Sequence, residues 1–363
     1  MKRLIALLLT VMMVLTLASC AADPGSSSTT GDSNSSTSSG GTETEGLKVA
    51  SINAYNHNGW RMTYENDLKA VADEYMKEGI ISKYDTFCPN GDQAQEVQMF
   101  ETAINEGYDV ILINAIGATG LDPQIAKALD QGITVVSIDN LYDYEGVLKV
   151  QTDQRVWAGN NAKFICEQLD GKGKVVLFTG MPGVSGSNLR YNIFMDVLSQ
   201  YPDIEIVGEH THNWSQVDSK QAMSEFLASG IEYDAILTEE ACVGILQAIQ
   251  EAGAPYPKAI TSDEEVGYLR MLGEINKDEL VLPFYIIENP PGIGATALKL
   301  AVRKAQGKEF KEGVLKDDTY YYEPTYIITY ENMEEEIETT KDMAETDQIS
   351  SYLSEEEADA LFQ

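Results

Sequence analysis

From residue 47 onward, short aliphatic runs alternate with longer stretches in which apolar positions recur every three or four residues. That alternation predicts the strands of a parallel sheet joined by crossover helices. The candidate strands are "KVASI" (48–52), "VILIN" (110–114), "TVVSID" (134–139), "KVVLFT" (174–179), "IEIVGE" (204–209), "AILT" (235–238), "AITS" (259–262) and "LVLPFYI" (280–286). Their near-continuous apolarity suits strands covered on both faces. Between them, residues 154–170 read as a helix with Ala158, Ala162, Ile165 and Leu169 on one face, and a second helix spans 92–106, after "NGD". In such sheets ligands bind beyond the carboxyl ends of the strands, so the residues just after each strand are the ones to inspect.

Both ends of the chain depart from this alternation. Lys2 and Arg3 precede an apolar run from Leu4 to Leu17, the order of a secretory signal and too short for a comfortable membrane span. The run ends in "LASC", which looks like the lipobox of bacterial lipoproteins, with Cys20 as the acylated residue. Residues 25–42 are Ser, Thr or Gly except for Asp32 and Asn34, a composition that cannot build a core. As a flexible tether from Cys20 to the first strand, this segment would reach roughly 25–30 Å. The far end, residues 331–363, carries twelve acidic residues and one lysine, and reads as a solvated helix or a partly disordered tail without chemistry.

Composition then excludes some partners. With 25 basic against 58 acidic residues the net charge is −33, which disfavours nucleic acid and anionic lipid surfaces, so membrane attachment is expected through the lipid anchor only. The 363 residues, 43% of them hydrophobic, suffice for two domains. Cys88, Cys166 and Cys242 are widely spaced and odd in number, which suits unpaired, buried thiols.

The strand ends carry a consistent set of side chains. Asn58, Trp60 and Arg61 follow the first strand; Asp139 and Asn140 close "SIDN"; Arg190 follows "GMPGVSGSN"; Trp214 lies in "THNW". Glu239 and Glu240 follow "AILT", Asp263 lies in "TSDEE" and Glu288 in "IIENPPG". Planar hydrogen-bonding groups with aromatic rings fit a carbohydrate, whose C–H faces pack on rings while its hydroxyls donate and accept. Taken singly, Trp60 reads more readily as a core aromatic and Asp263 as a helix cap.

In order and spacing this set resembles the periplasmic sugar-binding proteins typified by the ribose- and galactose-binding proteins, solute receptors of ABC importers, over about residues 47–330. "NHNGWR", "SIDN", "SGSNLR", "NW", "TSDEE" and "IENPPGIGATAL" stand at the family's successive ligand and crossing positions. The resemblance implies ligand contacts from Asn58, Trp60, Asp139, Arg190, Trp214, Asp263 and Glu288, with Arg61, Asn140 and Glu239 beside them. Arg61 replaces an aromatic, Asn140 a common Arg, Glu239 and Glu240 an Asn or Asp, and Glu288 a Gln. Because of these departures the ligand is left open: a sugar, an amino sugar or a nucleoside.

The implied fold is α/β, two Rossmann-like lobes, each a parallel-dominated sheet flanked by helices, joined by a three-strand hinge. Signal peptide would occupy 1–20 and tether 21–46. One lobe would take 47–152 plus 290–320, the other 153–288 plus 322–345, followed by the acidic tail 346–363. Crossings are expected near Thr152 to Gln154, Glu288 to Pro290 and Tyr320 to Glu323. The resemblance implies a monomeric receptor without cofactor or turnover, serving an ABC permease and its ATPase or presenting ligand to a membrane sensor. The lipobox and tether suit a cell without a retaining outer membrane, as in Gram-positive bacteria. If Trp60 and Trp214 are cleft residues, replacing either with Ala is expected to abolish or greatly weaken binding at little cost to the fold, whereas a large loss of stability would mark a core residue.

Competing chemistries have thinner support. A lac-repressor-type regulator needs a DNA-binding headpiece where this chain has signal and tether. Gly180, Gly183 and Gly186 could cradle phosphate, but no "GxGxxG" or "GKS" accompanies them. His210 and His212 could share a strand face as metal ligands, without a third ligand motif. A glycosidase would use Glu239 with Asp263 or Asp139.

Overall fold

In the computed structural model, residues 46–261 and 264–363 are described, and they belong to one compact unit. Cys20, the signal, nearly all of the tether and Asp263 therefore lie outside the described residues. Two parallel sheets organise the rest. The first has six strands in the order β11-β5-β4-β3-β1-β2: β1 Leu47–Asn53, β2 Ile81–Phe87, β3 Val110–Asn114, β4 Thr134–Ile138, β5 Leu148–Thr152 and β11 Thr319–Tyr322. The second, β7-β6-β8-β9, uses β6 Lys172–Thr179, β7 Asp203–Thr211, β8 Ala235–Thr238 and β9 Ala259–Ile260. A short antiparallel pair, β10 Ile286–Ile287 with β12 Ile327–Ile328, lies at the hinge.

Helices cover both faces of each sheet. On the first, α1 Gly59–Lys77 and α9 Ile293–Ala305 bury Tyr64, Leu68 and Leu298 against one face, while α2 Gln93–Asn105 and α3 Asp122–Asp130 bury Phe100 and Ile125 against the other. On the second, α4 Gln154–Gln168 and α5 Ser185–Leu198 oppose α6 Gln216–Ala228, α7 Cys242–Ala252 and α8 Val266–Ile275. The expected start of α2 has a cause: the Asp92 carboxylate accepts from the backbone N–H of Ala94 and Gln95.

Three groups of strand expectations need correction, one of them β5, an interior strand that the sequence pattern did not predict because Lys149 and Gln151 interrupt its apolar run. The run 280–286 is not a strand before Ile286; Pro283 has no N–H to give a ladder, and Leu280 and Val281 stay exposed. In turn, β2 and β11 carry no continuous apolar run because they are the sheet's edges, half exposed and rich in Lys, Asp, Thr and Tyr.

Between Thr152 and Gln154, between Ile287 and Ile293, and between Tyr322 and Ile327, the chain passes from one sheet's surroundings to the other's. A fourth passage comes from the acidic C-terminal segment, which is neither solvated throughout nor without contacts. After α10 Met333–Thr339, the Ile349 N–H donates to the Glu264 carbonyl in the second lobe. Leu353 then enters the first lobe's core, and α11 Glu355–Ala360 docks on α9. Glu355 bridges Lys299 at 2.6 Å and Arg303 at 2.8 Å, and Asp359 bridges Arg303 at 2.9 Å. Part of the acidic run thus neutralises a basic helix face. Hydrogen bonds from Arg303 and Lys308 hold the Asp359 carboxyl down at about 2.

Candidate functional site

The carboxyl ends of the two sheets face one another across a cavity of about 400 Å³, counting its mouth. The backbone around it is unusual. Of the non-glycine residues with positive φ among those described, Asp139 (58°), Asn213 (50°), Trp214 (54°), Glu240 (81°) and Ala241 (58°) sit directly after β4, β7 and β8. Left-handed backbone is disfavoured at Trp, Glu and Ala, and persists where the surroundings hold it for a purpose.

From the first lobe, Asn58 caps α1, its side-chain oxygen accepting from the Arg61 N–H at 2.9 Å. The cap starts the helix so that Trp60 and Arg61 occupy its first turn. The Trp60 indole stacks on Tyr64 with centroids 5.6 Å apart and donates to the Asn289 carbonyl at 2.7 Å. Arg61 donates to Asn53 Oδ1 at 2.7 Å and lies 3.8 Å from Asp139. Asn53 and Asn114 end β1 and β3 in register, and Asn114 reaches Asp139 at 3.5 Å.

From the second lobe, Arg190 is clamped. It lies over the Trp157 ring at 4.4 Å, donates to Gln154 Oε1 at 2.9 Å and pairs with Glu240 at 3.0 Å. Asn289, on the crossing, accepts from Gln154 Nε2 at 3.0 Å and donates to Glu240 at 3.2 Å, so hinge and wall form one network. Trp214 is held from beneath. Burial pushes the His212 imidazole down to about 3, and its neutral Nδ1 accepts from the backbone N–H of Trp214 at 2.9 Å. A Cβ on Gly180 would lie 2.4 Å from the indole, which accounts for glycine there as a close-packing requirement of the ring.

Eight of the residues singled out from the sequence line this one cavity: Asn58, Trp60, Arg61, Asp139, Asn140, Arg190, Trp214 and Glu240. Two do not. Glu239 is fully buried behind the wall, accepting from Ser187 Oγ at 3.0 Å, and burial pushes its carboxyl up to about 8. The left-handed turn at Glu240 presents that neighbour to the cavity instead. Glu288 is buried at the hinge, accepting from Ser351 Oγ at 2.5 Å and from the N–H groups of Thr325 and Tyr326, while Asn289 lines the cavity. The sequence reading missed Asn289, whose signal was one residue away in "IENPPG", and had named Gly186 only for a phosphate cradle.

Other chemistries find little here. His210 packs between Phe178 and Phe226, and among the described residues no group of three or more His, Cys, Asp or Glu is placed to hold a metal. Cys88 and Cys166 are free thiols, Cys88 only partly buried, and the Cys242 thiol donates to the Thr261 carbonyl at 3.1 Å. Burial pushes the Cys166 thiol up to about 11, which makes it unreactive. No described helix is long and apolar enough to cross a membrane.

Comparison with known proteins gives a consistent picture. The sequence profile of the periplasmic binding protein domain family matches residues 49–309. The galactofuranose-binding protein of Escherichia coli is 25% identical over 82% of this chain and 92% of its own length. The putative rhizopine-binding protein of Rhizobium meliloti is 24% identical over 67% and 79%. The xylitol-binding protein of Mycolicibacterium smegmatis is 29% identical, with this chain spanning about half (48%) of its length and the match covering 45% of this chain. An ABC transporter solute-binding protein from Thermobispora bispora superposes with a TM-score of 0.75 at 23% identity, covering 85% of this chain and 92% of that one. The binding component of an arabinose ABC transporter from Shewanella, solved with L-arabinofuranose, gives 0.71 at 19% identity over 81% and 96%. The likeness to these structures is one of fold: two parallel, helix-flanked sheets. The relatives are named as binding proteins rather than enzymes.

Proposed function

We propose, because this chain belongs to the periplasmic binding protein domain family, that it is an extracytoplasmic receptor for a neutral, sugar-like solute, held in the cavity between the sheets and delivered to an ABC permease and its ATPase. The observation that carries this reading is the convergence of Asn58, Trp60, Arg61, Asp139, Asn140, Arg190 and Trp214, from separate strand ends, on one cavity. Two indoles offer surfaces for C–H faces, and amides, carboxylates and guanidinium groups offer planar partners for hydroxyls.

Charge balance narrows the ligand. Arg61 lies by Asp139 and Arg190 pairs with Glu240, while the extra acid, Glu239, stands behind the wall. The described lining therefore balances two cations against two anions, which favours an uncharged polyol over an acidic or amine-bearing solute. Ligand touching both lobes would stabilise the closed arrangement, the differential affinity driving closure about the crossings. Residues 47–152 with 290–320 would move against 153–288 with 322–345, and Cys20 with its Ser/Gly/Thr tether would hold this body at the cell membrane.

A thermal-shift screen of the purified chain against sugars, polyols, amino sugars and nucleosides tests the reading, since a ligand bound by the native state alone raises its melting temperature. A neutral sugar or polyol that raises it, and is recovered intact, supports a receptor. A preference for charged solutes, or release of a cleaved product, overturns it. Membrane release of Cys20→Ser would support the anchor; unchanged membrane retention would remove it.

A further inference from the structure

The cavity does not end at the two indoles. A second chamber of about 850 Å³, counting its mouth, adjoins it and shares Asn58, Trp60, Trp214 and Glu240 as walls. We infer that this outer chamber is a second saccharide subsite, so that the solute is a neutral disaccharide with one ring in each chamber. The inference rests on the sugar-receptor reading and adds the size of the ligand to it.

The chamber's lining is that of a site more than of a cleft mouth. Gln216 is fixed in orientation: its amide N–H donates to Glu265 at 2.7 Å and its Oε1 accepts from the Gly244 N–H at 2.8 Å. Across the chamber stands Gln348, a buried amide carried by the C-terminal segment. That segment lies hard against the first turn of α1. A Cβ on Gly59 would sit 2.6 Å from the Thr346 carbonyl and 3.0 Å from Gln348 Nε2, so glycine next to the Asn58 cap lets the strap close this side. One amide held in a fixed direction and a second, buried one beside ring surfaces suit hydroxylated rings, and the shared indoles stand where two linked rings would meet.

The inner chamber is much the smaller of the two, and a single ring held there would leave the larger outer space to water. A second ring buries area there without ordering any further protein segment, because the strap is already docked.

Calorimetric titration of paired probes decides the matter: glucose with maltose and cellobiose, galactose with lactose and melibiose, xylose with xylobiose. One disaccharide is expected to bind about tenfold or more tightly than its component sugar. Val217 rims the outer chamber with 75% of its surface exposed, so Val217→Trp fills the space without touching a core. This change is expected to weaken the disaccharide about tenfold and its monosaccharide less than about twofold, with circular dichroism and melting temperature reporting the fold. A monosaccharide that binds as tightly as its disaccharides, with Val217→Trp affecting both alike, overturns the second subsite and leaves the sugar receptor standing. No binding by any saccharide overturns both.

Discussion

Each lobe gives the cavity an indole, a guanidinium and an acid, yet the two lobes fix different members of the set. In the first lobe the ring is locked, stacked on Tyr64 and bonded to Asn289, while the acid is loosely engaged, Asp139 lying 3.8 Å from Arg61. In the second the ion pair is locked, Arg190 to Glu240 at 3.0 Å in a buried network, while the ring of Trp214 lies half-buried on a left-handed turn. Each wall thus combines a rigid reference with a group whose partners leave room for a ligand. Preorganised groups lower the ordering cost of binding, and the looser ones are where a solute's hydroxyls compete.

The largest test of this contrast is Arg190→Met. It leaves Glu240 without its cation and is expected to cost about 3–5 kcal/mol of stability, read from urea unfolding. A loss confined to ligand affinity would mean that Arg190 belongs to the open class. Next comes the tryptophan pair. Trp60 lines the cavity yet is only 7% exposed and bonded, so its alanine variant is expected to cost more of the fold than that of Trp214. Trp60→Ala is expected to cost about 3 kcal/mol of stability and Trp214→Ala about 1, and equal costs would erase the distinction between walls.

Asp139→Asn probes the first lobe's open acid. Saccharide affinity should fall about tenfold to a hundredfold, while the ligand-free melting temperature moves by no more than about 2 °C. A large drop in that temperature would show Asp139 to be locked.

The one stabilising change concerns Glu239, whose carboxyl burial raises from 4.5 to about 8. The folded protein keeps a proton that the unfolded chain releases, so this group's contribution is fully present below pH 4.5 and is lost as pH rises through about 8. Glu239→Gln mimics the protonated form and should stabilise by about 1–2 kcal/mol above pH 8, with little gain near pH 4.5. A pH-independent difference would place an ionised Glu239 in the wall.

Much of this was legible in the sequence for physical reasons. Strands buried on both faces are mostly apolar, so β1, β3, β4, β6 and β8 declare themselves, with ligand groups at their carboxyl ends, whereas β5, equally buried but carrying Lys149 and Gln151, does not. Edges β2 and β11 were hidden because one side of an edge strand is free to be polar. The acidic C-terminus was misread because composition records charge without its partners; Lys299 and Arg303 lie on a helix some fifty residues earlier in the chain.

The sequence by itself determined the alternation of strands and helices, the family, and the short stretches from which the cavity is built. Only the tertiary structure decided which residue of each stretch faces the cavity. Whether Glu239 or Glu240 does so depends on one residue's φ of 81°, and whether Glu288 or Asn289 does so depends on how a crossing is bonded to the C-terminal segment. Such choices turn on backbone dihedrals and on contacts between segments far apart in the chain, neither of which a local pattern of side chains encodes.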